Sequence, residues 1–136
     1  MNYEEFIKNK QHLLGNFGFD VNYLPDYAFD FQKEIITKAI KKGRMAIFAD
    51  TGLGKTLMQI SIAKNIVNHT NKKVMIITPL AVAFQFILEA EKMGISDIEY
   101  SKDGKHTKKI VVCNYERLHY FNELDFEGVI LDESSI

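Results

Sequence analysis

One stretch limits this chain more than any other: Ala49-Asp50-Thr51-Gly52-Leu53-Gly54-Lys55-Thr56. It follows the apolar run Met45-Ala46-Ile47-Phe48 and opens an apolar-rich helical pattern from Lys55 to about His69. A strand, a glycine loop, Lys-Thr and a helix together make a phosphate cradle. Glycine lets the backbone bend so that its N–H groups point inward at phosphate oxygens. The helix N-terminus adds its dipole at the same spot. In such a cradle residues 50–56 wrap the phosphates, Lys55 reaches the β/γ-phosphates, and the Thr56 hydroxyl ligates Mg²⁺. The expectation is a nucleoside triphosphate site that takes Mg²⁺.

The rest of the chain supplies a matching frame. Its 136 residues suffice for one domain with a real core, and 46% hydrophobic content fits a soluble globular class. No apolar run approaches a membrane span, and the polar start Met1-Asn2-Tyr3-Glu4-Glu5 is unlike a signal peptide. A cytoplasmic setting is expected, which suits the single Cys113. A net charge of −1 means that any nucleic-acid site must be local.

Periodicity predicts an amphipathic helix over 3–14, a loop near Asn16 to Asp20, and a turn at Pro25-Asp26. Asp30 is read as the cap of a helix from Phe31 to Lys42, with Phe31, Ile35, Ile36, Ala39 and Ile40 inward. The helix over 55–69 is apolar on more than one side and should be largely buried. Val74 to Ile77 reads as a buried strand, 81–93 as a helix with Phe84, Ile87 and Leu88 on its stripe, and Ile98 to Tyr100 as a short strand. Ile110 to Cys113 is a further strand, Tyr115 to Phe121 a helix, and Gly128 to Leu131 a strand. The alternation predicts an α/β fold, a three-layer sandwich on a mostly parallel sheet, with ligands at the carboxyl ends of the strands.

That last strand delivers Asp132-Glu133 at its end. A carboxylate there could hold Mg²⁺ through its waters, and a second could orient or deprotonate an attacking water. Either acid alone would be an ordinary solvated turn. Joined to the glycine loop they form a catalytic set of Lys55, Asp132 and Glu133, with Thr56 and Asp132 on the metal.

Ala49-Asp50-Thr51-Gly52-Leu53-Gly54-Lys55-Thr56 carries Ala where a general P-loop carries Gly. In that form it resembles motif I of superfamily 2 helicases and Swi/Snf-type translocases of phages and bacteria. Phe29-Asp30-Phe31-Gln32 stands where those proteins carry a Q motif; Gln32 would read the adenine edge, with Phe29 or Tyr27 near the base. The plainer reading of Gln32 is a surface helix residue. Thr78-Pro79-Leu80 and Asn114-Tyr115-Glu116-Arg117-Leu118 look like the two segments that touch the nucleic-acid backbone, although Thr78 and Asn114 equally suit simple helix caps. One departure stands out: Asp132-Glu133-Ser134-Ser135 lacks the His that usually couples ATP to the next motif.

The resemblance covers roughly residues 25–136 and implies a RecA-like P-loop lobe, incomplete at its C-terminus, behind an N-terminal helix and loop over 1–28. It implies ATP and Mg²⁺ as ligands, and DNA or RNA as a partner of the full two-lobe protein. The family's motif III strand, second lobe and arginine finger do not occur in this sequence. Motif III's strand lies between the P-loop strand and the Asp-Glu strand in the wider class. A partner strand, a second copy or an earlier segment would have to fill that place, or the two strands must pair directly. Two further readings stay open: a non-catalytic ATP-binding or interaction module, and another P-loop enzyme such as a small kinase. The aromatics read as core, the lysines of 102–109 as a solvated loop, and the four histidines show no zinc spacing.

Overall fold

A computed structural model describes residues 19–42, 46–49 and 55–133. The expected helix over 3–14, the loop residues 50–54 and Ser134-Ser135 lie outside the described residues. The elements run α1 (Asp30–Lys42), β1 (Ala46–Ala49), α2 (Lys55–Thr70), β2 (Lys73–Thr78), α3 (Leu80–Lys92), β3 (Ile98–Tyr100) and β4 (Ile110–Asn114). Two 3₁₀ helices, Tyr115–Tyr120 and Glu123–Asp125, lead into β5 (Phe126–Glu133).

The five strands are all parallel, in the order β1-β5-β2-β4-β3. Parallel strands need crossovers, and crossovers are right-handed. The steps from β1 to β2 and from β2 to β3 go in one direction along the sheet, so α2 and α3 fall on the same face. The steps from β3 back to β4 and from β4 back to β5 reverse that direction, so their connections fall on the other. The two cores divide accordingly. Ile36 and Ile40 of α1, Ile60 and Ala63 of α2, and Ala83 and Phe86 of α3 pack on Val74, Ile76, Ile110, Val112 and Ile130. Leu118, Phe121 and Phe126 cover Met75, Ile77, Val111, Cys113, Val129 and Leu131 on the opposite face. The three expected layers are present, with one of them built from 3₁₀ turns and loop.

β1 pairs directly with β5, Ala46 opposite Ile130 and Ala49 opposite Glu133. The place between the P-loop strand and the Asp-Glu strand is thus closed within the chain, without a strand from a partner.

Three packing expectations are corrected. Tyr115 to Tyr120 is 3₁₀ rather than α-helical, because Tyr115, Leu118 and Phe121 meet the sheet at a spacing of three. On α1 the inward stripe is Gln32, Ile36 and Ile40, while Phe31 and Ile35 are exposed. On α3 the buried residues are Ala83, Phe86 and Ala90, and Phe84 and Leu88 face out. α1 turns Gln32 inward at one edge of a broad apolar face, whereas α3 is apolar on several sides, so period alone underdetermines its rotation and its alanines allow close approach. Gly94 ends α3 at φ +74°, where Ile95 N–H reaches Ala90 O and Gly94 N–H reaches Glu91 O. That pair of bonds is a Schellman cap, which needs the left-handed backbone glycine allows.

Candidate functional site

Because every strand runs the same way, Ala49, Thr78, Asn114 and Glu133 all end at one edge of the sheet. α2 starts at that edge with Lys55 and Thr56. Lys55 is buried, and its Nζ lies 3.0 Å from Oδ1 of Asp132, a carboxylate with no solvent exposure. Thr78 donates its hydroxyl to the other oxygen, Oδ2, at 2.8 Å. Tyr115 donates its hydroxyl to the Asp132 carbonyl at 2.5 Å, tying the 3₁₀ turn to the end of β5. The glycine-loop helix and the Asp-Glu strand, far apart in sequence, therefore converge on one carboxylate.

Gln32 is buried, not a surface residue. Its Oε1 accepts the backbone N–H of Phe29 at 2.9 Å, the residue just before α1. A Gln at the third helical position reaching back to the cap N–H is half of a capping box. This bond fixes the amide, with Nε2 as its remaining donor end. Tyr27, Phe29 and Phe31 surround this helix start and are each about half exposed or more, with the Phe29 and Phe31 rings stacked at 5.9 Å. Phe84 and Tyr120 are also exposed, so among the described residues several aromatics lie outside the core that the others join.

Neither Thr78 nor Asn114 caps a helix by its side chain. Thr78 is fully buried against Asp132. Asn114 accepts the Tyr100 hydroxyl at 2.6 Å and donates Nδ2 to Glu116 at 2.7 Å. That amide bond holds the Glu116 carboxyl below the usual range. Thr56 is half-buried in the first turn of α2. Of Glu133 the backbone alone is described, in register with Ala49.

A carboxylate and a hydroxyl are hard oxygen donors, the class Mg²⁺ takes, and Mg²⁺ commonly completes its shell with waters and phosphates. Among the described residues no three His, Cys, Asp or Glu side chains converge as a ready cage. Asp132 and Thr56 each carry a donor of that class.

Two features escaped the sequence. Asn65 on α2 is buried and clamps the entering chain: Oδ1 accepts Asn22 N–H at 2.6 Å and Tyr23 N–H at 3.1 Å, and Nδ2 donates to Tyr23 O at 2.8 Å. Gln59, one helical turn beyond Lys55, is wholly buried, and neither amide atom finds a hydrogen-bond partner among the described residues. The lysine-rich loop lies toward the opposite end of the sheet. There Lys73 Nζ sits 2.6 Å from His106 Nδ1, and His106 Nε2 faces Asp125 at 3.5 Å. The adjacent open pocket, about 390 Å³ in volume, mixes Lys72, Lys73 and Lys109 with Asp125 and Glu127. Its mixed charge and its place at the opposite end of the sheet set it apart from the phosphate edge.

Among known proteins, the sequence profile of the family described as DEAD/DEAH box helicase matches residues 29–135. No curated protein and no solved structure matches the chain.

Proposed function

The chain belongs to the DEAD/DEAH box helicase family, and from that premise we propose that it is the ATP-binding first lobe of a superfamily 2 DNA helicase or translocase. One observation carries this reading: the buried contact between Lys55 at the start of α2 and Asp132 at the end of β5. A lysine after a glycine loop and a carboxylate on a neighbouring strand are the groups a γ-phosphate and its metal require.

In this reading residues 50–56 cradle the phosphates, Lys55 moves from Asp132 to the β/γ-phosphates, and Thr56 and Asp132 hold Mg²⁺. Bound Mg²⁺ supplies charge neutralisation at the transferring phosphate. Glu133 orients or accepts a proton from the attacking water. Gln32 offers Nε2 to the adenine edge while its Oε1 stays on Phe29, and the exposed rings of Phe29 and Tyr27 flank the base. Thr78 and Asn114 have their side chains engaged inside the chain. Nucleic-acid phosphates at this edge would then meet backbone N–H groups at the start of α3, contacts that carry no sequence information. Coupling of hydrolysis to movement along the strand belongs to the two-lobe protein.

The test is fluorescent-nucleotide binding with and without Mg²⁺, comparing the native chain with Lys55→Ala, each checked for native far-UV circular dichroism. Native binding that Lys55→Ala weakens is expected. If ATP does not bind, or binds the variant equally well, the phosphate-site assignment fails.

A further inference from the structure

Asp132 takes the Lys55 ammonium on Oδ1 and the Thr78 hydroxyl on Oδ2. The two contacts differ in kind. Lys55 sits at the start of α2, on a long unbranched stem, and in the reading above it changes partners when phosphate arrives. Thr78 is the last residue of β2, hydrogen-bonded in register to β4 on one side and flanked by β5 on the other, and it has no solvent exposure. A β-branched side chain on a strand has restricted χ1, so its hydroxyl is a fixed donor.

We propose that Thr78 is a positioning residue for Asp132: its hydroxyl sets the carboxylate's orientation so that Oδ1 faces the metal once Lys55 has moved away. The inference rests on the Mg²⁺–ATP reading of this edge and deepens it. A partner of this kind, one step behind a metal-ligating carboxylate, typically changes metal affinity by about 10–100-fold when removed. Thr78 is also joined through Pro79 to the first turn of α3.

The experiment measures binding of a fluorescent ATP analogue to the full chain, in Mg²⁺ and in EDTA, for native protein, Thr78→Val and Thr78→Ser. Valine keeps the shape and β-branching but removes the donor. Thr78→Val is expected to leave affinity in EDTA unchanged and to lose roughly 10–100-fold of the Mg²⁺-dependent gain, with Thr78→Ser restoring most of it. Equal losses with and without Mg²⁺ would mark a general distortion and overturn the proposal. A Mg²⁺-dependent gain that survives Thr78→Val intact overturns it while leaving the phosphate site standing. Absence of nucleotide binding by the native chain removes both.

Discussion

Removing the charge from Lys55 should destabilise the fold, and removing the charge from Asp132 as well should restore it. The pair is 3.0 Å apart, with side-chain exposures of 9% for Lys55 and 0% for Asp132. At an effective dielectric of about 20 the attraction is roughly 5–6 kcal/mol, against a desolvation cost of several kcal/mol per ion. The net worth of the intact pair is therefore small, while a buried charge left behind costs about 3–5 kcal/mol. Lys55→Met takes the cation from a carboxylate that has no access to water and keeps the Thr78 hydroxyl, and should fall within that range. Asp132→Asn leaves an ammonium that keeps slight solvent access and retains an acceptor for Thr78, so its cost should be lower. The double variant Lys55→Met/Asp132→Asn should unfold within about 2 kcal/mol of the native chain. Urea unfolding followed by far-UV circular dichroism, without nucleotide or Mg²⁺, gives all four corners of the cycle. The reasoning is refuted if the double variant is as unstable as the sum of the singles, or if Lys55→Met costs less than about 1 kcal/mol.

Two other outcomes follow from buried groups. Gln59→Met replaces a wholly buried amide without partners by an apolar side chain of similar length and should stabilise by about 1–3 kcal/mol in the same unfolding assay; a loss would show that the amide has a partner in solution. Burial pushes the Cys113 thiol up from 9.0 to about 12. The fold holds the thiol neutral while the unfolded chain ionises near pH 9, so the contribution of Cys113 to stability is whole below that pH and drains away as pH rises toward about 12. Native protein at pH 8 should resist a thiol-reactive chromophore that labels the unfolded chain at once, and rapid labelling of the folded protein would contradict the burial.

Elements with a long, one-sided or fully apolar pattern are legible in the sequence. α2, β2 and β4 fall within a residue or so of their expected limits, because continuous burial leaves little choice of period. Helices with apolar residues all round were found in place but rotated, as with Phe84 and Leu88 on α3. The 3₁₀ turn had a readable sign in the spacing of Tyr115, Leu118 and Phe121. In the site, Lys55 and Asp132 could be paired from motif logic. The Thr78–Asp132 bond joins residues 54 positions apart, and no local signal announces such a partner. Nothing local singles out Asn65 as a clamp, because the backbone it holds lies 42–43 positions earlier in the chain.

The position of β5 has a consequence for the order in which the molecule can be made. β5 is the last of the described strands, yet it lies between β1 and β2. β2, β4 and β3 can pair as soon as they emerge, but among the described residues β1 has no neighbour until β5 slides in beside it. Pairings of high sequence separation form slowly, since loop-closure entropy must be met before the contact returns anything. The closing event of the sheet is therefore also the event that brings Asp132 to Lys55. A partly folded chain would carry a finished β2-β4-β3 half and no phosphate edge, so the appearance of nucleotide binding should report the final step of folding rather than the first.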